Sequence, residues 1–495
     1  MNLRLLAAAA AIAIASAVSA APVLAPPSPL GPEVQPFVHV PSGQTAITHL
    51  RIIDGTGAAP IENATLLIDG PKIGAVLPAG SAIPPDYTTL DGSGETAMPG
   101  IVGMHNHMFY IARPNLDASG HSDDPLLVPQ MTFSAPRLYL ANGVTTMRTT
   151  GSVEPYDDLN VKSEIDSGKM VGPHMDVTAP YLEGPDSPFI QMHQLRDAAD
   201  ARATVAFWAD QGATSFKAYM HITRAELKAA SDEAHRRHLK ITGHLCSVTY
   251  PEAVALGIDD FEHGFFVNTE LDPGKQPDKC SAGQGIPTLI AMKPESAEAN
   301  ALIRLLVDHH VAVTSTLPVF EQELPLQLHV PLKPKAMDVL TPQARNDYLY
   351  MRNIAAARGS SPRAQGFVQA FQNDMGLERQ FVASGGLLLA GPDPTGNGGV
   401  IPGFGDLREI ELLVEAGFTP VEAIRITTLN GATYLGLADR IGSIAAGKDA
   451  DLFIVSGNPA AKIGDVENVI LVFKDGVGYN SAKLLESVKG RYGEY

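Results

Sequence analysis

The chain has 495 residues, of which 45% are hydrophobic and 18% are charged, and its formal net charge is −18. This length exceeds what one hydrophobic core usually organises, so we expect two domains or one large barrel with additional parts. The acidic balance, with no basic block in the chain, argues against nucleic acid and anionic membrane surfaces as partners.

The N-terminal residues 1–20 have the pattern of a signal peptide. Arg4 supplies a positive start, residues 5–17 are apolar and uncharged, and the small residues of "VSA" at 18–20 fit a signal-peptidase site. The alternative is a membrane anchor, but the apolar run is short for one. A Pro-rich, extended or disordered lead-in follows over residues 21–36. We expect an exported protein, periplasmic or secreted, with no membrane span after signal removal.

Both ends of the remaining chain are rich in predicted strands. Residues 37–98 contain short apolar runs separated by Gly, Pro and Asp turns, and residues 441–495 repeat that pattern. The middle of the chain lacks this pattern of short strands separated by turns. We therefore predict that the two ends together build one small β-sandwich domain.

Residues 99–440 alternate short apolar runs with helical patterns, which is typical of parallel β/α units. In one helical pattern, 223–239, Thr223 and Glu226 have the spacing of a capping box. Eight candidate strands predict an α/β fold, a (β/α)8 TIM barrel, with its largest insertion over about 318–384. The predicted strands are residues 100–107, 143–150, 174–180, 213–220, 240–245, 259–264, 311–317 and 386–393.

The first predicted barrel strand ends in two histidines, His105 and His107. Residues two apart in a strand point to the same side, so both imidazoles project at the strand's carboxyl end, where barrel enzymes build their active sites. Two imidazoles held side by side can chelate one metal ion.

Four other predicted strands each place one residue of a metal-ligand type near the same end. Taken singly, each has a plainer explanation: a surface lysine, a hydrogen-bonded barrel histidine or a turn aspartate. Their convergence with the histidine pair favours a metal centre. The four residues are Lys217, His244, His263 and Asp393.

Several stretches of the chain together resemble the amidohydrolase superfamily. They are "MPGIVGMHNH", "GVTTMRTTG", "FKAYM", "ITGHLCSVTYPEAVALGIDDFEHG", "LLLAGPDPTG" and "IGSIAAGKDADLFIVSGNP". Within the superfamily the chain is most similar to the imidazolonepropionase-like and Xaa-Pro dipeptidase-like group. Imidazolonepropionases typically use one metal without a bridging lysine, so Lys217 relates this chain to the binuclear peptidase branch.

The resemblance implies two divalent metal ions. It implies His105 and His107 on the buried ion, and His244 and His263 on the exposed one. It further implies a carbamylated Lys217 that bridges the two ions, and Asp393 as both ligand and catalytic proton shuttle. Zinc suits such ligands, and the sequence does not distinguish it from manganese, cobalt or iron. One departure is local: the usual Gly-Thr-Asp is here Gly391-Pro392-Asp393.

These expectations describe an exported metal-dependent hydrolase that cleaves amide bonds of small peptides or N-acyl amino acids. A metal-activated hydroxide would attack the carbonyl, as in a dipeptidase or carboxypeptidase. Two enzymatic alternatives are hydrolysis of cyclic amides or lactones and detoxification of N-acyl aromatic amino acids. A non-enzymatic alternative is a metal-free barrel that serves as a scaffold. The sequence leaves open whether the protein forms a homo-oligomer.

Three residues on the same rim are candidates for substrate binding. Arg148 ends the second barrel strand and could bind a substrate carboxylate with two hydrogen bonds. Tyr219, two residues after Lys217, could donate a hydrogen bond to a substrate oxygen, and Tyr110 follows His107 by three residues. Structural alternatives remain: Arg148 could pair with a barrel carboxylate, and Tyr110 could be a packing residue.

The chain has two cysteines, Cys246 and Cys280. One disulfide can form in an oxidising compartment, but two cysteines make no disulfide framework. Cys246 is two residues from His244, so it could also be a neighbour of the metal site. We favour a buried free thiol.

Overall fold

The N-terminal lead-in is packed against the body of the protein. Leu24 and Val34 are buried, and the Ser28 hydroxyl donates a hydrogen bond to the Asp166 carbonyl at 2.8 Å. The predicted signal peptide lies outside the described residues. The computed structural model describes residues 23–112, 127–185, 187, 189, 191–328, 330–359, 361–396 and 399–493.

The described residues form strands at both ends of the chain and alternate strands with helices between them. The strands are β1 (Val38–Val40), β2 (Gln44–Ile52), β3 (Ile61–Asp69), β4 (Lys72–Leu77), β5 (Thr88–Asp91), β6 (Glu95–Pro99), β7 (Ile101–Asn106), β8 (Val144–Thr149), β9 (His174–Val177), β10 (Ser215–Ala218), β11 (Lys240–Gly243), β12 (Asp260–Glu262), β13 (Ala312–Ser315), β14 (Leu388–Ala390), β15 (Leu452–Ser456), β16 (Val469–Lys474) and β17 (Val477–Asn480). The α-helices are α1 (Ser134–Ala141), α2 (Pro155–Asp166), α3 (Ala198–Gln211), α4 (Arg224–Arg236), α5 (Tyr250–Leu256), α6 (Ile286–Ala291), α7 (Ala297–Asp308), α8 (Leu317–Glu321), α9 (Pro334–Val339), α10 (Pro342–Arg358), α11 (Pro362–Ala383), α12 (Phe404–Glu415), α13 (Pro420–Arg425), α14 (Gly431–Tyr434) and α15 (Ser481–Ser487).

Strands from both ends of the chain pair in one nine-stranded sheet. Its order is β1-β17-β16-β15-β6-β2-β3-β4, with β5 beside β2. The two ends join where β15 runs antiparallel to β6 and Leu452 lies opposite Pro99. Apolar side chains from both ends, such as Leu66 and Ile454, share one core. The strands thus form one connected sheet, and its finer description as a sandwich stays a prediction.

All eight segments predicted as parallel strands are strands, each within its predicted limits. They form a three-stranded parallel sheet, β7-β8-β9, and a five-stranded parallel sheet, β10-β11-β12-β13-β14. The two sheets meet at both edges. Thr178 pairs with Ser215 in a parallel bridge on one side, and the Asp393 N–H donates to the His105 carbonyl at 3.0 Å on the other. The prediction of an α/β fold is confirmed.

Helices fill the gaps between the parallel strands. The predicted capping box begins α4, where the Thr223 hydroxyl and the Glu226 carboxylate satisfy each other's backbone N–H groups. The predicted insertion between β13 and β14 holds α8 to α11. In the described part of the chain, no helix combines the length and the apolarity that crossing a bilayer needs.

Cys246 and Cys280 are joined by a disulfide, with their Cα atoms 4.7 Å apart. The expectation of a buried free thiol is therefore wrong. The loop after β12 folds back over the end of β11, where the Thr269 hydroxyl donates to the Cys246 carbonyl at 2.9 Å. That fold-back brings together two cysteines that are 34 residues apart in the chain.

Candidate metal centre

The carboxyl ends of five parallel strands bring the six predicted ligands together. One cavity of about 150 Å³ is lined by five of them. The sixth, His105, is fully buried beneath it. The five lining residues are His107, Lys217, His244, His263 and Asp393.

Distances between the ligand atoms suit a divalent ion. Asp393 Oδ1 lies 3.0 Å from His107 Nε2 and 3.6 Å from His105 Nε2. Ligand atoms of His105, His263 and Asp393 all lie within 4.8 Å of one another. Tetrahedral ligands at about 2.0–2.1 Å from zinc are separated by roughly 3.3 Å, so this donor set fits such an ion. The rings of His263 and His244 are also adjacent, with centroids 4.4 Å apart.

Two of the histidines are oriented by partners behind them. His105 Nδ1 donates to Glu262 Oε2 at 2.6 Å, and His263 Nδ1 is hydrogen-bonded to the Thr316 hydroxyl at 2.8 Å. Because Nδ1 of each ring is hydrogen-bonded to its partner, Nε2 is the nitrogen that faces the cluster. Proteins usually orient histidine ligands of metals in this way.

The backbone is strained at two of the predicted ligands. His263 has φ +68° and Asp393 has φ +54°, both in the left-handed region that residues other than glycine seldom adopt. Such a conformation costs of the order of 1–2 kcal/mol per residue and concentrates at functional sites. The turn that each residue makes at its strand end directs its side chain into the cavity.

Burial sets the charge state of the cluster. It lowers the pKa of His244 to about 3 and holds those of His105 and His263 well below the usual range, with the Lys217 ammonium adding to the effect. These imidazoles are therefore neutral, as a metal ligand must be. Burial would raise the pKa of Asp393, but His105, His107 and Lys217 outweigh it and keep the carboxylate ionised.

Lys217 is the one lysine among the described lining residues. Its side chain is buried, and its Nζ lies 3.2 Å from both His105 Nε2 and the Thr150 carbonyl. Burial lowers the pKa of this ammonium to about 8, although Glu262 and Asp393 oppose the shift. About a tenth of Lys217 is consequently a neutral amine at pH 7.

Arg148 lies below the cavity and is not among its described lining residues. Its Nη2 donates to Asp260 Oδ2 at 2.8 Å and to Glu262 Oε1 at 2.7 Å, while its Nε donates to the Met104 carbonyl at 2.8 Å. The guanidinium is fully buried and engaged by these groups. This arrangement contradicts the prediction that Arg148 binds a substrate carboxylate, and it matches the structural alternative.

Tyr110 also points away from the cavity. Its hydroxyl donates to Asp347 Oδ2, and its ring packs at 5.7 Å from that of Tyr492 in a separate apolar cluster. The prediction of a substrate contact is therefore wrong for Tyr110, because its neighbours Phe109 and Ile111 line the cavity while Tyr110 faces the opposite side. Tyr219 does line the cavity, with its ring 4.9 Å from that of His244.

Sequence reasoning missed three residues that shape the site. Glu262 orients His105, Thr316 contacts His263, and Tyr181 lines the cavity beside Tyr219. A signal existed for Glu262: the strand "DDFEHG" carries acidic residues two apart, at 260 and 262, which requires a buried cation. Thr316 and Tyr181 carry no comparable signal.

Comparison with known proteins found a matching family, a short match to an enzyme sequence and similar solved structures. The sequence model of the Amidohydrolase family matches residues 96–478. A 5′-deoxyadenosine deaminase of Methanobrevibacter smithii is 41% identical over 59 residues, which cover 12% of this chain and 14% of that protein. Among solved structures, a Xaa-Pro dipeptidase with bound methionine is 20% identical with a TM-score of 0.63, covering 88% of this chain and 100% of the other. A. niger ochratoxinase is 17% identical with a TM-score of 0.62, covering 92% and 100%.

The two structural likenesses extend over nearly the whole of each compared chain. The family match includes all six residues of the cluster, from His105 to Asp393. The chain therefore belongs to the amidohydrolase family and is a metal-dependent hydrolase that acts on carbon–nitrogen bonds.

Proposed function

We propose that this protein hydrolyses the amide bond of small N-acyl amino acids or short peptides as an exported enzyme with a binuclear metal centre. The observation that carries the proposal is the meeting of six ligand-type side chains at the floor of one small cavity. The disulfide between Cys246 and Cys280 supports export to an oxidising compartment, periplasmic or extracellular.

We also infer that the eight parallel strands close into a (β/α)8 barrel. Their spatial order equals their order in the chain. The bridge between Thr178 and Ser215 and the hydrogen bond from Asp393 to His105 support closure, because they connect the outer strands of the two sheets. Catalytic groups at the carboxyl ends of the strands fit this architecture.

His105 and His107 would hold the inner ion, His244 and His263 the outer one, and Asp393 would complete the site. The bound ions would lower the pKa of a water molecule and polarise the scissile carbonyl, and zinc is the expected metal. Lys217 would bridge the ions as a carbamate. Its neutral amine attacks carbon dioxide, a nitrogen–carbon bond forms, and one N–H proton leaves to solvent.

Asp393 is the residue best placed to move the proton. Its Oδ1 is ionised and faces the cavity, so it can accept a proton from the attacking water and pass it to the leaving nitrogen. Tyr219 keeps its proton, since burial raises its pKa far above the usual range. Its hydroxyl can therefore donate a hydrogen bond to a substrate oxygen.

A second cavity favours substrates with a bulky apolar group. It has a volume of about 440 Å³ and shares Val153, Tyr181 and Met192 with the cavity at the metal cluster. Its other walls include Phe207 and Trp208 on α3. An aromatic acyl group or side chain would stack on these rings while its amide lies over the cluster. The N-acyl aromatic amino acids among the alternatives fit this arrangement.

The test compares N-acetyl and N-aroyl derivatives of one amino acid, Xaa-Pro dipeptides and a lactone. We expect turnover of the amides, with kcat/KM highest for the N-aroyl compound. Phe207→Ala should lower kcat/KM for the N-aroyl compound by about 2–10-fold, corresponding to about 0.5–1.5 kcal/mol of aromatic contact, and leave the N-acetyl compound unchanged.

Phe133→Ala is the matched control, because Phe133 is similarly exposed, at 41% against 49% for Phe207, and does not line either cavity. This control variant should leave kcat/KM unchanged for both the N-aroyl and the N-acetyl compound. Turnover of the lactone alone would contradict the proposal and favour the cyclic-substrate alternative.

A further inference from the structure

A second cluster of metal-ligand residues lies at the opposite end of the parallel strands from the catalytic cavity. His174 begins β9, Asp451 precedes β15, and Asp475 forms the turn between β16 and β17. Ligand atoms of the three residues lie within 4.8 Å of one another. The cluster thus joins the parallel strands to the nine-stranded sheet.

The distances in this cluster match zinc better than a hydrogen-bonded histidine. His174 Nε2 lies 3.3 Å from Asp475 Oδ1 and 3.5 Å from Asp451 Oδ2. A hydrogen bond from an imidazole N–H to a carboxylate oxygen is usually about 2.7–3.2 Å long. Tetrahedral ligands of a zinc ion are instead roughly 3.3 Å apart.

One oxygen in the cluster has no protein partner. Asp451 Oδ1 accepts the Asp475 N–H at 2.7 Å, but Asp451 Oδ2 is buried and finds no hydrogen-bond partner in the described part of the chain. The Asp451 side chain is 1% exposed. A buried carboxylate oxygen without a partner is costly, and it points at the histidine nitrogen across the gap that an ion would fill.

The surrounding charges leave this position available. Lys474 Nζ contacts Asp475 at 3.2 Å, but through Oδ2 and not through the oxygen that faces His174. Asp475 Oδ1 and Asp451 Oδ2 both face His174 Nε2.

Solvent has a route to the cluster. A cavity of about 310 Å³ between the Pro-rich lead-in and the body of the protein is lined by His174 and Asp475. We propose that His174, Asp451 and Asp475 bind a structural zinc ion, with a water as fourth ligand, that clamps the parallel strands to the nine-stranded sheet. One nitrogen and two carboxylate oxygens are a ligand set that zinc accepts.

The test counts zinc in the full-length protein. Wild type and variants are incubated with zinc, passed through a desalting column and analysed by plasma mass spectrometry. We expect His174→Gln to hold about one zinc fewer per chain than wild type and to keep its kcat/KM. Zinc should also raise the Tm of wild type by more than that of His174→Gln, since a ligand that binds only the folded state stabilises it.

Three further variants complete the design. His309→Gln removes an exposed histidine outside both clusters and should match wild type in zinc content and Tm. Asp475→Asn provides a second disruption of the clamp if His174→Gln does not fold. The double variant His105→Ala, His263→Ala weakens the catalytic cluster and should still hold the clamp zinc, so failure of this proposal is separable from failure of the proposed function.

Equal zinc content in wild type, His174→Gln and Asp475→Asn would overturn the proposal. The same holds if zinc changes the Tm of wild type and His174→Gln by equal amounts. Either result would identify the cluster as a histidine and two carboxyl groups that are held by hydrogen bonds alone, without an ion.

Discussion

Replacing Arg148 with methionine separates a structural role from a substrate-binding role. The guanidinium of Arg148 is fully buried and binds two carboxylates, those of Asp260 and Glu262. Methionine fills a similar volume but leaves both carboxylates without their cation. Burial already raises the pKa of Asp260 to about 7, with Glu262 as the second cause, so the pair depends on this arginine.

The size of the effect follows from that burial. Removing one partner of a buried ion pair typically costs about 3–5 kcal/mol, because an unpaired charge stays in the protein interior. We therefore expect Arg148→Met to lower the free energy of unfolding by about this amount. Urea unfolding followed by fluorescence measures it. Arg304→Met is the matched control, since Arg304 is exposed on α7, and it should change the free energy of unfolding by less than about 0.5 kcal/mol.

A kinetic comparison supplies the decisive result. Wild type and Arg148→Lys, which keeps a charge at the site, are assayed on the free-acid and the C-terminally amidated forms of the best substrate. If Arg148 is structural, the variant should lose activity by the same factor on both forms. A loss at least tenfold greater on the free acid would refute this reasoning and restore Arg148 as the residue that binds the substrate carboxylate.

Three other predictions follow from particular contacts. Glu262→Gln removes the charge behind His105 and should weaken metal affinity by about 10–100-fold, measured by competition with a chelating dye; unchanged affinity would show that Glu262 does not orient His105. Metal uptake by the metal-free enzyme should require bicarbonate, and Lys217→Ala should hold fewer than two ions per chain with partial rescue by acetate; two ions without bicarbonate would contradict a carbamate bridge. Burial raises the pKa of the Asp374 carboxyl to about 8, so the folded chain holds the carboxyl proton more tightly than the unfolded chain does. The wild-type protein should therefore lose stability as pH rises from about 4, the unfolded pKa, to about 8. Asp374→Asn should therefore be more stable than wild type at pH 7, by a margin that shrinks towards pH 4 in urea titrations; a constant margin would contradict the shift.

Local patterns in the sequence predicted much of this architecture. Parallel strands are buried on both faces and so appear as short apolar runs, which is why the strands from β7 to β14 could be located from residue type alone. The convergence of the six candidate ligands was also predictable, because residues at the carboxyl ends of parallel strands, such as His263, lie at the same rim.

What the sequence could not predict depends on contacts between distant segments. Arg148 lies at the correct strand end, but its partners Asp260 and Glu262 are more than 100 residues away, and they draw its side chain beneath the cavity. The pairing of Cys246 with Cys280 likewise depends on a loop that folds back after β12. Strand position predicts the rim at which a side chain lies, but not the depth at which its partners hold it.

We propose that the six clustered side chains bind the metal ions on which amide hydrolysis depends. The most direct measurement is metal content together with kcat/KM of the enzyme as purified, after removal of metal by a chelator, and after readdition of zinc. We expect about two ions per chain as purified in addition to any at the His174 cluster, a loss of turnover of at least a thousandfold on chelation, and recovery with zinc. His105→Ala should not recover. Full turnover by the chelator-treated enzyme, with no metal at the cluster, would contradict the claim.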